Sequence, residues 1–144
     1  MDRFTFTTDL QQMDVTLIHE FLSQSYWAKG IPFETQKRAL KNSLCVGVLT
    51  ENGEQVAFAR LVTDRATFAY LADVFVLEQY RGQGISQWMM EQTMSLEALQ
   101  GLRRMMLATF DAHGLYEKFG FTPLNNPDIM MEIWTPDVYE RRSP

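Results

Sequence analysis

The chain has 144 residues, is 46% hydrophobic and carries a net charge of −5 at pH 7. This length suits one core, so we predict a single domain over residues 1–144. No apolar run approaches the ~20 residues of a membrane span, the first residues carry no export or transit signal, and basic residues form no long cluster. Neither a membrane nor a nucleic acid is therefore expected as a partner.

The cysteine and histidine content limits which disulfides and metal sites the chain can form. Cys45 is the only cysteine, which excludes an internal disulfide and suits a reducing compartment, so we expect a cytoplasmic protein. Two histidines and one cysteine show no metal-ligand spacing, and we expect no metal site.

Hydrophobic periodicity predicts alternating strands and helices along the whole chain. In chain order we predict a strand at 4–8, helices at 15–22 and 34–42, strands at 45–49, 55–62 and 68–77, a helix from 85 to about 101, a strand at 105–110, a helix at 112–119 and a final strand pair from 121, interrupted at 123–127. Asn52-Gly53 predicts a hairpin between the second and third strands. This order favours a mixed α/β fold.

A glycine-rich turn separates the strand at 68–77 from the following helix. Its sequence is Gln79-Tyr80-Arg81-Gly82-Gln83-Gly84. The two glycines permit backbone conformations that a side chain would forbid, so successive N–H groups can converge on one anion at the positive end of the helix. The spacing fits neither the three-glycine dinucleotide fingerprint nor the P-loop. The turn therefore predicts a cradle for a diphosphate-bearing cofactor.

A second motif follows about thirty residues later, in residues 109–121, and contains Tyr116, Lys118, Gly120 and Phe121 in a Y-x-K-x-G-F arrangement. Together with the Q/R-x-x-G-x-G/A turn, it resembles the signatures of the GCN5-related N-acetyltransferase (GNAT) superfamily, in the family's order and near its spacing. The resemblance implies a mixed sheet with helices on both faces, splayed between its fourth and fifth strands, with acetyl-CoA as co-substrate in the split.

The resemblance also assigns cofactor contacts residue by residue. Phe75 and Val76 would offer strand backbone to the amide-rich pantetheine arm. The pyrophosphate would meet backbone N–H groups from Arg81 to Ser86, with the Arg81 side chain as a further phosphate partner. Asp111 replaces the family's usual asparagine, and its carboxylate would accept a hydrogen bond from a pantetheine N–H. The predicted cofactor residues are Phe75, Val76, Arg81, Gly82, Gln83, Gly84, Ile85, Ser86 and Asp111.

Acetyl transfer needs a base for the amine and a proton donor for the departing thiolate. Tyr116 occupies the family's donor position. Asp73 is the first candidate for the base, because the family's glutamate positions hold Ala72 and Tyr70 here; Glu34 is the reserve. Asp73 could instead bind a cationic substrate or the backbone of the splay. Tyr26, Trp27, Phe33 and Glu34 bracket the segment that shapes the acceptor pocket in this family, although the aromatics could equally form a core cluster.

The sequence thus predicts an acetyl-CoA-dependent N-acetyltransferase that acts directly on a primary amine of a small molecule. Two alternatives stay open at this point: acetylation of a protein or peptide amine, and a catalytically silent acyl-CoA-binding sensor. A homodimer is expected by analogy, but the sequence identifies no dimer face.

Overall fold

The structure is a computed structural model that describes residues 1–140. Five strands form one open sheet in the order β1-β2-β3-β4-β5, antiparallel except for the parallel pair β4–β5. The strands and helices are β1 (Phe4–Thr7), α1 (Val15–Leu22), α2 (Phe33–Lys41), β2 (Leu44–Thr50), β3 (Gln55–Thr63), β4 (Phe68–Val76), α3 (Ile85–Met94), β5 (Arg104–Leu107) and α4 (His113–Glu117). The predicted mixed sheet is confirmed.

Helices cover both faces of this sheet because successive strand residues point to opposite sides. On one face, Ile18 and Leu22 of α1 and Leu40 of α2 pack with Phe58 and Phe75. The other face carries the larger cluster, in which α3 and α4 meet β2, β3 and β4 through Ile85, Met89, Met90, Tyr116, Val46, Val48, Ala57 and Ala59. All of these side chains are buried. The core therefore locks both the β4–α3 turn and α4 against the sheet.

The split between β4 and β5 follows from their register. Only Phe68–Leu71 of β4 pairs with Arg104–Leu107 of β5, whereas β4 continues to Val76. From residue 72 onward, that edge of β4 has no strand beside it within the described chain. The sheet is splayed between its fourth and fifth strands, as the resemblance implies.

Two predicted elements differ from the structure. The helix expected to reach residue 101 ends at Met94, and a separate 3₁₀ turn follows at Glu97–Leu99. The final strand pair is wrong: residues 121–140 contain no strand, only a 3₁₀ turn at Pro127–Ile129. Pro123 and Pro127 lack N–H donors and have a fixed φ, so this segment cannot form a continuous ladder with β5.

Candidate functional site

The turn between β4 and α3 presents a row of backbone donors. Gly82 and Gly84 both have φ of +81°, and Gly84 is the N-cap of α3. None of the N–H groups of residues 82–87 has an acceptor among residues 1–140. A Cβ built on Gly82 would have no atom within 4 Å, so the turn opens onto free space. Six unpaired donors at a helix N-terminus form a site for an anion.

The side chain of Arg81 ties this turn to the end of β4. Its Nε donates a hydrogen bond to the Val76 carbonyl at 3.0 Å. The guanidinium is thus held at the strand end through Nε, which leaves its two terminal nitrogens outside this bond. Its expected role as a phosphate partner falls to those terminal nitrogens, because Nε is already bonded.

Val76 presents its backbone to the split, and Phe75 does not. The N–H of Leu77 donates to the Val56 carbonyl at 2.8 Å, so Leu77 faces β3 and, by strand alternation, Val76 faces the opposite side. Phe75 shares the orientation of Leu77 and pairs with Phe58. This corrects the expectation that both residues offer backbone to a ligand. The Phe75 ring contributes instead by stacking on Phe21, with centroids 4.0 Å apart.

A β-bulge interrupts β4 at Asp73. Phe58 pairs with Phe75 and Arg60 pairs with Ala72, so two residues of β4 oppose one residue of β3. Asp73 takes up the mismatch with φ of +59°. No local sequence pattern predicts this bulge, because it depends on the register between two strands.

The bulge turns the Asp73 carboxylate toward two donors. One oxygen accepts from Arg60 Nε at 2.7 Å and the other from Trp27 Nε1 at 2.8 Å. The side chain is only 7% exposed. Asp73 therefore joins the α1–α2 loop to the sheet.

Tyr116 lies on α4, close behind the split. It is 8% exposed and its ring meets Phe121 edge to face, with centroids 6.0 Å apart. Burial raises the pKa of the Tyr116 phenol above its ordinary value of 10, and the nearby Asp111 carboxylate adds to the increase. The phenol thus stays protonated throughout the neutral range, as a proton donor must.

A cavity of about 850 Å³ joins these parts. Its size falls within the ~300–1,000 Å³ of typical ligand pockets. It brings together the glycine turn, the end of β4, α4 and the α1–α2 loop. The predicted residues that line it are Tyr26, Trp27, Phe75, Val76, Arg81, Gly82, Gly84, Ile85, Ser86 and Tyr116. Within residues 1–140, the two sequence motifs and the α1–α2 loop, which carries Tyr26 and Trp27, meet at this cavity.

Five predicted site residues do not line the cavity: Gln83, Asp73, Asp111, Phe33 and Glu34. The Phe33 ring packs against His19, with centroids 5.2 Å apart, and the Lys37 ammonium lies over its face. Glu34 is exposed and pairs with Lys37 at 3.7 Å. Both belong to the outer surface of α2, which corrects their placement in the acceptor pocket. The dipole at the start of a helix favours a carboxylate such as Glu34 there without any substrate role.

Several lining residues were missed, namely Phe21, Gln24, Ser25, Val74, Tyr80, Ala112 and Leu115. Leu115 and Ala112 adjoin Tyr116 in the second motif, and Val74 adjoins Phe75, so motif proximity could have indicated them. Phe21 belongs to the helical stripe of α1 and carries no local signal for a pocket.

Within residues 1–140, no group of three or more acidic, cysteine or histidine side chains could hold a metal ion. No helix in the described part of the chain is long and apolar enough to cross a membrane.

Comparison with known proteins identifies the family. The acetyltransferase (GNAT) domain family matches residues 42–123, which include both motifs. The chain belongs to the GNAT acetyltransferase family. A Gibberella zeae protein named as a candidate acetyltransferase is 34% identical, covering 80% of this chain and 76% of its own.

Solved structures agree with this assignment. A GNAT-family protein of Xanthomonas campestris pv. campestris is 50% identical and superposes with a TM-score of 0.93, covering 96% of this chain and 98% of its own. Glucosamine-6-phosphate N-acetyltransferase from Arabidopsis thaliana shares the fold, with a TM-score of 0.61, 15% identity and coverage of 91% of this chain and 97% of its own. The mixed, open sheet of this GNAT acetyltransferase is thus a known architecture.

Proposed function

We propose that this GNAT acetyltransferase is an acetyl-CoA-dependent N-acetyltransferase that transfers the acetyl group directly to a primary amine of a small molecule. The observation that carries the proposal is the 850 Å³ cavity, which connects an anion-binding turn, an unpaired strand edge and a buried tyrosine. These three features match the diphosphate, the amide-bearing arm and the thioester end of one elongated molecule.

The residues present fit coenzyme A from its phosphates to its arm. The unpaired N–H groups of residues 82–87 are suited to the pyrophosphate, and the terminal nitrogens of Arg81 add a positive charge beside them. Val76 has a backbone N–H on the open side of β4, where an amide carbonyl of the arm can pair like an added strand. Bound here, acetyl-CoA supplies the activated acetyl group.

Tyr116 supplies the proton that the leaving group needs. Its raised pKa keeps the phenol protonated at neutral pH, and its place on the cavity wall puts it near the split. A phenol can donate to a departing thiolate whose thiol has a pKa of ~8.5, and the transfer becomes more favourable as the sulfur gains charge.

The amine enters from the aromatic end of the cavity. Tyr26 and Trp27 are partly exposed there and meet edge to face, with centroids 5.0 Å apart; the exposed Phe110 ring is 5.4 Å from Tyr26. Three aromatic rings can bind an alkyl chain or a cationic head by their faces. Asp73 anchors the Trp27 indole, so we assign it a positioning role.

Acetyl-CoA binding tests the cofactor half of the proposal, with titration calorimetry on the wild type, Gly82→Glu and Gly53→Glu. Gly53 is a matched control because it has a similar φ of +83° and the same open space, but lies in the β2–β3 hairpin. We expect Gly82→Glu to weaken binding on the order of 100-fold through charge repulsion, and Gly53→Glu to bind like the wild type. Equal affinities for all three proteins would contradict the proposed cradle.

Turnover tests the chemical half. Thiol release from acetyl-CoA should depend on an added primary amine, and Tyr116→Phe should lower kcat by about 10²–10⁴ without changing acetyl-CoA affinity. Tyr70→Phe, on β4 away from the cavity, is the control and should keep full activity. Tight acetyl-CoA binding with no turnover on any small amine or peptide would identify a silent binding module. Turnover on peptides alone would reassign the acceptor.

A further inference from the structure

Two aromatic pairs line the end of the main cavity that the amine enters. We define this acceptor end as the part of the wall formed by Phe21, Gln24, Tyr26, Trp27 and Phe75. The rings of Phe21 and Phe75 stack with centroids 4.0 Å apart, whereas those of Tyr26 and Trp27 meet edge to face. Paired rings on a cavity wall offer an apolar surface that suits another flat apolar group.

A further ring extends this surface beyond the cavity. Phe110 is 83% exposed and contacts Tyr26, which is itself 68% exposed. The two residues come from different loops, since Tyr26 follows α1 and Phe110 follows β5. Neither ring is needed to fill the core. Exposed rings grouped at the rim of a cavity indicate a surface for a ligand.

The wall of the cavity carries almost no charge. Among the described residues that line it, Arg81 is the only one with a charged side chain, and it belongs to the glycine turn proposed to bind the diphosphate. Lys29 and Asp111 lie close to the aromatic residues along the chain, but neither lines the cavity. The acceptor end therefore offers no carboxylate for a second ammonium group and no cation for a substrate carboxylate or phosphate.

The Asp73 carboxylate behind Trp27 does not fill this gap, because its bonds are already made. Its oxygens accept from Arg60 Nε and Trp27 Nε1, and the guanidinium balances its charge. The exposed Gln24 amide and the Tyr26 hydroxyl add only uncharged polar groups to the wall. A charged group placed here would lose hydration without gaining an opposite charge, and the face of a ring offsets only part of that loss for a cation.

We propose that the acceptor is a monoamine whose one basic nitrogen is carried on an uncharged, flat apolar body, such as an arylalkylamine. Polyamines, amino acids and phosphorylated amino sugars do not fit this wall. The assignment rests on the proposed function, because it names the substrate class of the same cavity. The apolar body lies among the rings of Tyr26, Trp27 and Phe110, and the nitrogen points to the thioester beside Tyr116.

The transfer needs no charge on the acceptor other than that of its own nitrogen. The ammonium first loses a proton to water. The nitrogen then bonds to the acetyl carbon, the carbon–sulfur bond breaks, and the departing thiolate takes the phenol proton of Tyr116. The second proton released by the nitrogen returns to the Tyr116 oxygen through water. The products are the N-acetylated amine and the free thiol of coenzyme A.

Matched acceptors test the substrate class by turnover, with the acetylated product measured by mass spectrometry. Butylamine and its diamine putrescine differ by a second ammonium group, and phenylalaninol and phenylalanine differ by a carboxylate. Phenethylamine adds a ring to a short alkylamine. We expect kcat/KM for phenethylamine to exceed that for butylamine by ~10-fold, and putrescine and phenylalanine each to fall ~10-fold or more below their matched partners.

Tyr26→Leu and Phe110→Leu test the location of the apolar body. Both side chains are mostly exposed, so neither substitution disturbs folding. Each should lower the ratio of kcat/KM for phenethylamine to that for butylamine by roughly 3–10-fold. This ratio does not depend on cofactor affinity, because both acceptors use the same acetyl-CoA. Trp134→Leu is the control: it removes a ring that is exposed and outside the cavity lining, and it should keep the wild-type ratio.

Titration calorimetry of phenethylamine and putrescine, with and without CoA, separates the substrate class from the proposed reaction. Phenethylamine binding that Tyr26→Leu weakens, with no acetylation of any amine, would retain the class and overturn the reaction. Preferred acetylation of putrescine, phenylalanine or a peptide would retain the reaction and overturn the class. The class is also wrong if phenethylamine is neither bound nor acetylated, or if both leucine variants keep the wild-type ratio.

Discussion

The surroundings of the Tyr116 phenol favour its protonated form. Burial and the Asp111 carboxylate both raise its pKa. For an acid whose folded-state pKa lies above the unfolded value, the folded form retains the proton as pH passes 10, and the unfolded chain loses it first. Activity limited by this proton should therefore stay constant up to about pH 10, and stability should decline above it.

Asp111→Asn tests the origin of this shift. Removing the carboxylate should lower the pKa of Tyr116, yet leave it above the ordinary value because burial is the larger cause. The difference in ultraviolet absorbance between each protein and its Tyr116→Phe counterpart, titrated from pH 8 to 12, isolates this phenol from the other four tyrosines. An unchanged or higher pKa in Asp111→Asn would contradict the assigned cause.

Asp73 provides a second prediction at the scale of one side chain. Asparagine tolerates the positive φ and keeps an oxygen for Trp27, but leaves the Arg60 charge without its partner. We expect Asp73→Asn to lower the unfolding free energy by about 2 kcal/mol, because Asp73 is buried and Arg60 is mostly so. kcat should change little, since both carboxylate oxygens already serve structural bonds.

Asp73→Ala is the companion variant, because it also removes the acceptor for the Trp27 indole. Relative to Asp73→Asn, it should raise KM for the amine while leaving acetyl-CoA affinity unchanged. Urea denaturation and steady-state kinetics measure the two effects separately. A collapse of kcat in Asp73→Asn, with stability intact and the acidic limb of the pH profile removed, would make Asp73 the general base that the sequence predicts.

At the scale of elements, periodicity placed the strands and helices of residues 4–119 within a few residues of their observed bounds, apart from the early end of α3. The signals were local: the alternation along β1, the Asn52-Gly53 turn, and the glycines that begin α3. The last predicted strand pair failed because Pro123 and Pro127 interrupt it, so the apolar residues at 130–134 suit a strand but pair with none in the described chain. A sequence pattern indicates which secondary structure a segment can form, but a strand forms only where a neighbouring strand pairs with it.

Helix α2 carries an unusual buried polar group. Gln36 is 1% exposed, and its Oε1 has no hydrogen-bond partner in the described structure. A buried acceptor without a donor costs about 1–3 kcal/mol of desolvation. Gln36→Met keeps the length and helix propensity of the side chain and removes this acceptor, so we expect the unfolding free energy to rise by about 1 kcal/mol.

Gln87→Met is the matched control for this substitution. Gln87 lies on an exposed position of α3, so the same exchange should change stability by less than ~0.5 kcal/mol. Thermal or urea denaturation measures both variants. If Gln36→Met is destabilised, the Gln36 amide has a partner that stabilises α2, and the assigned desolvation cost is wrong.

Across the whole molecule, the two halves of the site differ in how far the sequence could predict them. The glycine turn is a local device, since strand, turn and helix follow one another in the chain, and Gly82 and Gly84 adopt the positive φ that their type permits. The acceptor end is assembled from distant segments: Trp27 is fixed by Asp73, 46 positions away. Phe33 and Glu34 were placed in the pocket by proximity along the chain, but helix geometry turns them to the outer surface of α2.

The reactivity of the Cys45 thiol can be used to test whether the sheet unfolds as one cooperative unit. It lies in β2, is buried, and its Sγ donates to the Leu40 carbonyl at 3.4 Å. Burial raises the pKa of the thiol to about 11, opposed by the Arg60 charge and reinforced by Asp73. Since only a thiolate reacts with a disulfide reagent, the native thiol should be inert at pH 8.

Labelling should therefore require the sheet to open. We expect no reaction with Ellman's reagent over minutes in native protein, one thiol in denaturant, and a labelling rate that rises with urea in parallel with global unfolding. Because the unfolded thiol ionises near pH 9 and the folded one near 11, stability from this group is complete below pH 9 and is lost as pH rises toward 11. Fast labelling of native protein would mean that β2 opens locally, without the rest of the sheet.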